Sequence, residues 1–226
     1  MRKFPFLEQA GLRVAAISDL SDGDCARNAT NPEACRDFLQ RCDAPPQQLA
    51  RVKQVHGVTI LSVDSPADVA DAPEADGLIT CNPDVVLGIS VADCVPLWLY
   101  DPCNSAVALL HAGREGTVAG IARLGVSAMV AQCCSRPEHL LAVIGPSAGP
   151  CCYEVSPEMA ADLEKQGVAM RGRNVDLWGE NTRQLLESGV VTAHVHAAAE
   201  CTICGPGYHS FRREGGRARN LAVARL

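Results

Sequence analysis

Three residues in this chain offer metal or nucleophile chemistry: His56 in "KQVHG", Cys94 in "VADCVP" and His111 in "LLHAGREG". One thiolate and two imidazoles with a fourth position left open is the donor set of a catalytic zinc. The same atoms also suit a Cys-His nucleophile pair, and residue chemistry alone leaves both open. Plainer roles exist for each: a His capping a strand, a Cys packed as a small hydrophobe, a His closing a strand. Asp93, next to Cys94, is either a turn-capping carboxylate or a group that serves the site.

Other stretches carry further chemistry. "HVHAAAECTIC" offers His194, His196, Cys201 and Cys204, an HxH and a CxxC that compose a rival metal cluster or a solvated strand face. "PCCYEV" places Cys151, Cys152 and Glu154 close together, with the two thiols expected to pack. The tail "YHSFRREGGRARN" brings Arg212, Arg213, Arg217 and Arg219 close to Tyr208, His209 and Ser210, either a solvated basic end or an anion site, since guanidinium clamps phosphate bidentately. "HAGREGT" feeds a helix start at Thr117, where free amides attract anions.

The elements that must position these residues follow from pattern. "GLRVAAIS", "LARVKQV" and "VTILSV" read as strands, and residues 65–77 as a polar, Pro-broken loop. From Gly77 onward a dense strand series lacks alternation, which implies burial on both faces. Ser90–Pro102 reads as one buried strand, irregular at Pro96. Helices are expected over 31–42, with Asn31 as N-cap and Pro32 at N1, and over 117–134, 156–167 and 178–189. "HLLAVIGP", "VVTAHVHA" and the C-terminal segment read as strands. Strands outnumber helices without strict alternation, so the fold class is α+β.

The chain has 226 residues, 47% hydrophobic and 20% charged, enough for one core and too apolar for disorder. Its net charge of −6 disfavours nucleic-acid binding. No apolar run is long enough for a membrane helix or a signal peptide, so a cytoplasmic protein is expected. Twelve cysteines are then expected to be largely reduced and buried.

Taken in order, "QVHG", "ADGLIT", "VADCVPL", "HAG", "GPSAGPCCYEV", "DLW", "CT" and "SFRREGG" resemble the laccase-domain proteins, the multicopper polyphenol oxidoreductase family. The resemblance implies one domain over residues 1–226, a layered α/β/β/α sandwich of mixed sheets similar to deamidating-toxin-like Cys hydrolases. It implies zinc held by His56, Cys94 and His111, with copper only adventitious. It implies phosphorolysis of adenosine, inosine or methylthioadenosine, with adenosine deamination. The partners are then a purine nucleoside and phosphate, without nucleic acid or membrane, in a monomer or small homo-oligomer. Cys94, His111 and Asp93 would be catalytic, and Arg212, Arg213, Ser210 and Arg114 would bind phosphate. The family reads "HAGWRG" where this chain has Arg114 and Glu115, and its N-terminal loop is longer. A Cys94–His111 hydrolase, including peptidoglycan-precursor editing, is the alternative. A non-enzymatic metal-stabilised module is a further one. Copper oxidation fits poorly with six histidines.

Overall fold

Apolar runs become strands, and the strands sort into two sheets that face each other. The computed structural model describes residues 1–226. The first sheet has the order β1 (Arg2–Lys3), β2 (Val14–Ile17), β13 (Asn220–Arg225), β6 (Val86–Val91) and β3 (Leu49–Arg51). The second has the order β12 (Val195–Ala197), β9 (Leu141–Ile144), β7 (Val95–Asp101), β8 (Ala106–Ala112), β5 (Gly77–Thr80) and β4 (Ile60–Ser62). Both sheets are mixed: β3 and β6 run parallel, as do β4–β5 and β9–β12, whereas β7 is antiparallel to both β8 and β9. A small hairpin pairs β10 (Met170–Arg171) with β11 (Asn174–Val175).

Three apolar layers explain the missing alternation. Ile17, Leu87, Ile89 and Ala222 of the first sheet pack against Leu78, Trp98, Leu109 and Val143 of the second. The outer face of the second sheet, with Leu97, Leu99, Ala108 and Leu110, is covered by helices. These are α4 (Ile121–Cys133), α5 (Pro157–Lys165) and α6 (Leu177–Glu187), through Val126, Met129, Leu163 and Leu185. The outer face of the first sheet is covered by α2 (Pro32–Arg41). There Phe38 and Leu39 are fully buried, each stabilising by roughly 1.5–3 kcal/mol. A short α1 (Pro5–Glu8) adds Leu7 to the core between the sheets. The layers therefore run helix, sheet, sheet, helix.

Local signals placed the helices well. The Asn31 side chain accepts from the Glu33 amide, and Ser156 accepts from the Met159 amide. The expected helix over 117–134 is instead two helices. Gly120, at φ +90°, separates α3 (Arg114–Val118) from α4, because that left-handed residue cannot continue the helix. The expected strand over 190–197 shrinks to β12, preceded by a 3₁₀ turn at Thr192–His194. A one-turn helix, α7 (Phe211–Glu214), lies inside the basic tail. No helix is long and apolar enough to cross a membrane.

Candidate metal centre and its cleft

Cys94 is not inside a strand. The run Ser90–Pro102, expected as one strand, is broken at Ala92–Cys94, where the chain leaves β6 in one sheet and enters β7 in the other. Asp93 turns this corner at φ +84°. The thiol therefore sits on the seam between the sheets. Opposite it, the antiparallel register pairs Pro96 with His111, near the end of β8. His56 comes from the loop between β3 and β4, in the left-handed conformation at φ +62°, which is uncommon for a residue with a side chain.

Asp76, just before β5, holds this arrangement together. Its fully buried carboxylate accepts the His111 Nδ1 proton at 2.7 Å and the amides of Val55 (3.3 Å), His56 (2.9 Å) and Gly57 (2.7 Å). It thus fixes the imidazole tautomer and the strained turn that presents His56. Burial pushes the Asp76 carboxyl up, but the bonds from His111 and Gly57 outweigh it, and the group stays below its usual range. Burial lowers His111 despite the neighbouring carboxylate, so the ring is neutral and Nε2 offers a lone pair. Burial and the Asp93 charge push the Cys94 thiol up to about 12, so ionising it needs a cation at hand.

The donor atoms of His56, Cys94 and His111 all lie within 4.8 Å of one another, and the two rings meet edge to face at 4.9 Å between centroids. Zinc bonds of about 2.0–2.3 Å place tetrahedral donors about 3.3–3.8 Å apart, which lies within the 4.8 Å span of these three atoms. The four remaining histidines are elsewhere: His139 stands near Asp101 and Cys103, His194 ends the 3₁₀ turn before β12, His196 stacks on Phe6, and His209 bonds the Gly23 carbonyl. A multicopper array is therefore not assembled. Gly113 is required by the close approach, since a Cβ there would lie 3.0 Å from His56 Cδ2 and 3.2 Å from Cys94 Sγ.

The trio floors a cleft of about 600 Å³. A family model described as multi-copper polyphenol oxidoreductase laccase matches residues 20–225. The chain belongs to this laccase family. A purine nucleoside phosphorylase of Deinococcus radiodurans is 36% identical over 178 residues, covering 76% of this chain and 67% of that protein. One of Xylella fastidiosa is 32% identical over 232 residues, covering 94% and 87%. The solved structure of YlmD from Geobacillus stearothermophilus superposes with a TM-score of 0.84 at 28% identity, covering 94% of this chain and 91% of that one.

In this laccase-family chain the cleft wall departs from the basic set expected at its rim. Arg114 and Arg212 line it, together with Arg219 from the same basic tail. Glu115 also lines it and pairs with Arg114 at 3.2 Å. Arg213, expected to bind phosphate, turns away. Its guanidinium donates to the carbonyls of Thr202 (2.7 Å), Gly205 (2.7 Å) and Tyr208, so it holds a loop. Ser210 is likewise committed: buried, it caps α7 by accepting the Arg213 amide at 3.2 Å. Asp93 touches no histidine. Its oxygens accept the Thr202 hydroxyl at 2.6 Å and the Arg212 amide at 2.7 Å, which docks α7 on the cleft. Two aromatic residues complete the wall: Tyr153, with the Arg212 guanidinium 4.9 Å over its ring, and Phe211, 54% exposed. His194 and His196 do not join Cys201 and Cys204. Those thiols meet Cys151 and Cys152 instead, so the latter pair does not simply pack.

Proposed function

We propose that the chain is a zinc-dependent purine nucleoside phosphorylase that also deaminates adenosine. The observation that carries this is the convergence of two imidazoles and a thiol on the floor of a cleft whose wall offers three arginines and two aromatic rings. His56, Cys94 and His111 would hold zinc, which when bound supplies a Lewis acid and an acidified water. Arg212, Arg114 and Arg219 bind phosphate, whose oxygen bonds to ribose C1′ as the bond to the base breaks. Glu115 weakens the field at Arg114 and leaves Arg212 and Arg219 as the stronger anion holders. Tyr153 and Phe211 flank the flat purine. Asp76 keeps His111 neutral and aimed. Asp93 acts by positioning Arg212, with Ser210 and Arg213 supporting the same short helix. The names of the relatives and the family match support this reading. Residues 1–226 form one such domain, acting in the cytoplasm as a monomer or small homo-oligomer.

The test is incubation with adenosine, inosine and methylthioadenosine, with and without phosphate, on wild type and Cys94→Ala of known zinc content. Phosphate-dependent release of free base, lost together with zinc in the variant, is expected. Zinc binding without base release overturns the phosphorylase reading.

A second reading rests on one contact. The 2.7 Å His111–Asp76 pair beside Cys94 is the spacing of a Cys-His-Asp hydrolase, and a deamidase-like fold, with action on peptidoglycan precursors, belongs to it. The thiol value of about 12 weighs against it. Activity that survives chelation and is lost on alkylation would decide in its favour.

A further inference from the structure

We propose that Cys151, Cys152, Cys201 and Cys204 hold a second metal ion, a structural zinc bound by four thiolates. Nearly fifty positions of chain separate the two pairs, yet their sulfur atoms all lie within 4.8 Å of one another. Cys151 Sγ and Cys204 Sγ are 3.8 Å apart. Zinc–sulfur bonds of about 2.3 Å give a tetrahedron with edges of about 3.8 Å. A disulfide needs about 2.05 Å between the sulfurs. The spacing is that of ligands around an ion.

The backbone is built to bring the pairs together. One pair follows β9 and the other follows β12, and those strands are parallel neighbours. The ladder extends past them: Ser147 donates its amide to Glu200 O at 3.1 Å, and Thr202 donates to Ser147 O at 3.0 Å. The Gly149 amide donates to Cys201 Sγ at 3.3 Å, and the Gly205 amide closes the Cys201–Cys204 turn onto Cys201 O at 2.9 Å. A peptide N–H aimed at sulfur stabilises a thiolate. Gly149 and Gly205 leave no room for substitution, since added Cβ atoms would lie 2.5 Å from Trp178 Cη2 and 2.5 Å from Cys201 O. The Arg213 guanidinium, spread over the carbonyls of Thr202 and Gly205, brings positive charge to the loop that carries two of the thiolates.

The ion would clasp the two loops that support the cleft wall. The Cys201 loop carries Thr202, whose hydroxyl reaches Asp93, and the Cys152 loop carries Glu154, whose carbonyl accepts from Arg212 at 3.0 Å. This site does not depend on the proposed reaction and stands or falls separately.

The experiment uses a His56→Ala, Cys94→Ala double variant, which strips two of the three cleft ligands. Elemental analysis of it is expected to give one zinc per chain, falling to none on adding Cys201→Ser. Cobalt substitution of the double variant is expected to give intense sulfur-to-metal charge-transfer bands and tetrahedral d–d bands. As a check that needs no further substitution, all four cysteines should resist alkylation in the folded chain until a chelator is added, although Cys151 and Cys204 are exposed. No zinc in the double variant, immediate alkylation of Cys151 and Cys204, or a Cys151–Cys204 disulfide under reducing purification would each overturn the proposal.

Discussion

Asp76→Asn tests the core of the site most directly. The carboxylate accepts from four donors, two on each oxygen: His111 Nδ1 and the His56 amide on Oδ1, and the Val55 and Gly57 amides on Oδ2. An asparagine has one acceptor, so in either orientation its NH₂ group confronts two N–H donors. A hydrogen bond to a charged group contributes about 1.5–3 kcal/mol, so losing two costs about 3–6 kcal/mol. That is a large fraction of the roughly 5–15 kcal/mol that holds a domain together. With the Oδ1 side lost, His111 also loses its tautomer lock, and zinc affinity should fall about 10–100-fold. Urea denaturation at low temperature measures the first effect, and competition with a chromophoric chelator the second. A loss below about 1 kcal/mol with unchanged zinc affinity would refute the role given to Asp76, because no rearrangement of four donors around one amide is that cheap.

Gly113→Ala places a methyl 3.0 Å from the His56 ring and 3.2 Å from Cys94 Sγ, so zinc affinity should drop about tenfold while the melting temperature of the metal-free protein changes little. Gly125→Ala drives a methyl to 2.4 Å from Leu110 Cδ1 between α4 and β8; overpacking should outweigh the gain in helix propensity by about 1 kcal/mol, read by denaturant titration. On acidification, the neutral His111 is the first group to act. Its folded value lies below the unfolded value of about 6.5, so the unfolded chain takes the proton first and stability falls below about pH 6.5. Asp76, also held low, keeps its full contribution above the ordinary carboxylate range and loses it progressively as the pH falls from there through its depressed folded value. Chemical denaturation of metal-free protein between pH 8 and 4 should show this decline, and a flat profile would contradict the assignment.

Much of the site was legible because its chemistry is concentrated in short stretches. His56, Cys94 and His111 stood out as donors beside strand breaks, and all three arrive at one point. What no stretch could show is which sheet each strand joins. Ser90–Pro102 looks continuous because both its halves are buried, yet they belong to opposite sheets. Asp76 was hidden in a polar loop. Its value comes from the register that places Gly77 opposite Leu110 and so brings it beside His111. Arg212 and Arg213 are adjacent in sequence, but one turn of helix sends them to different places. The thiol cluster was missed because Cys201 and Cys204 were matched to the nearest histidines in sequence. Their true neighbours come from the strand beside β12.

The position of β13 has a consequence for how the protein acquires its shape. The strand lies between β2 and β6, with Ala222 opposite both Ile17 and Ile89. Contacts of such long range form slowly, since much chain must first be looped closed. The second sheet draws all its strands from residues 60–197, so they are all made before β13 arrives to cover the Trp98 face. The Trp98 indole donates to the Val223 carbonyl at 2.9 Å, so this ring is a built-in fluorescent reporter of that last closure. During synthesis the apolar face of the second sheet waits for β13, and in that interval the nascent protein has most need of a chaperone.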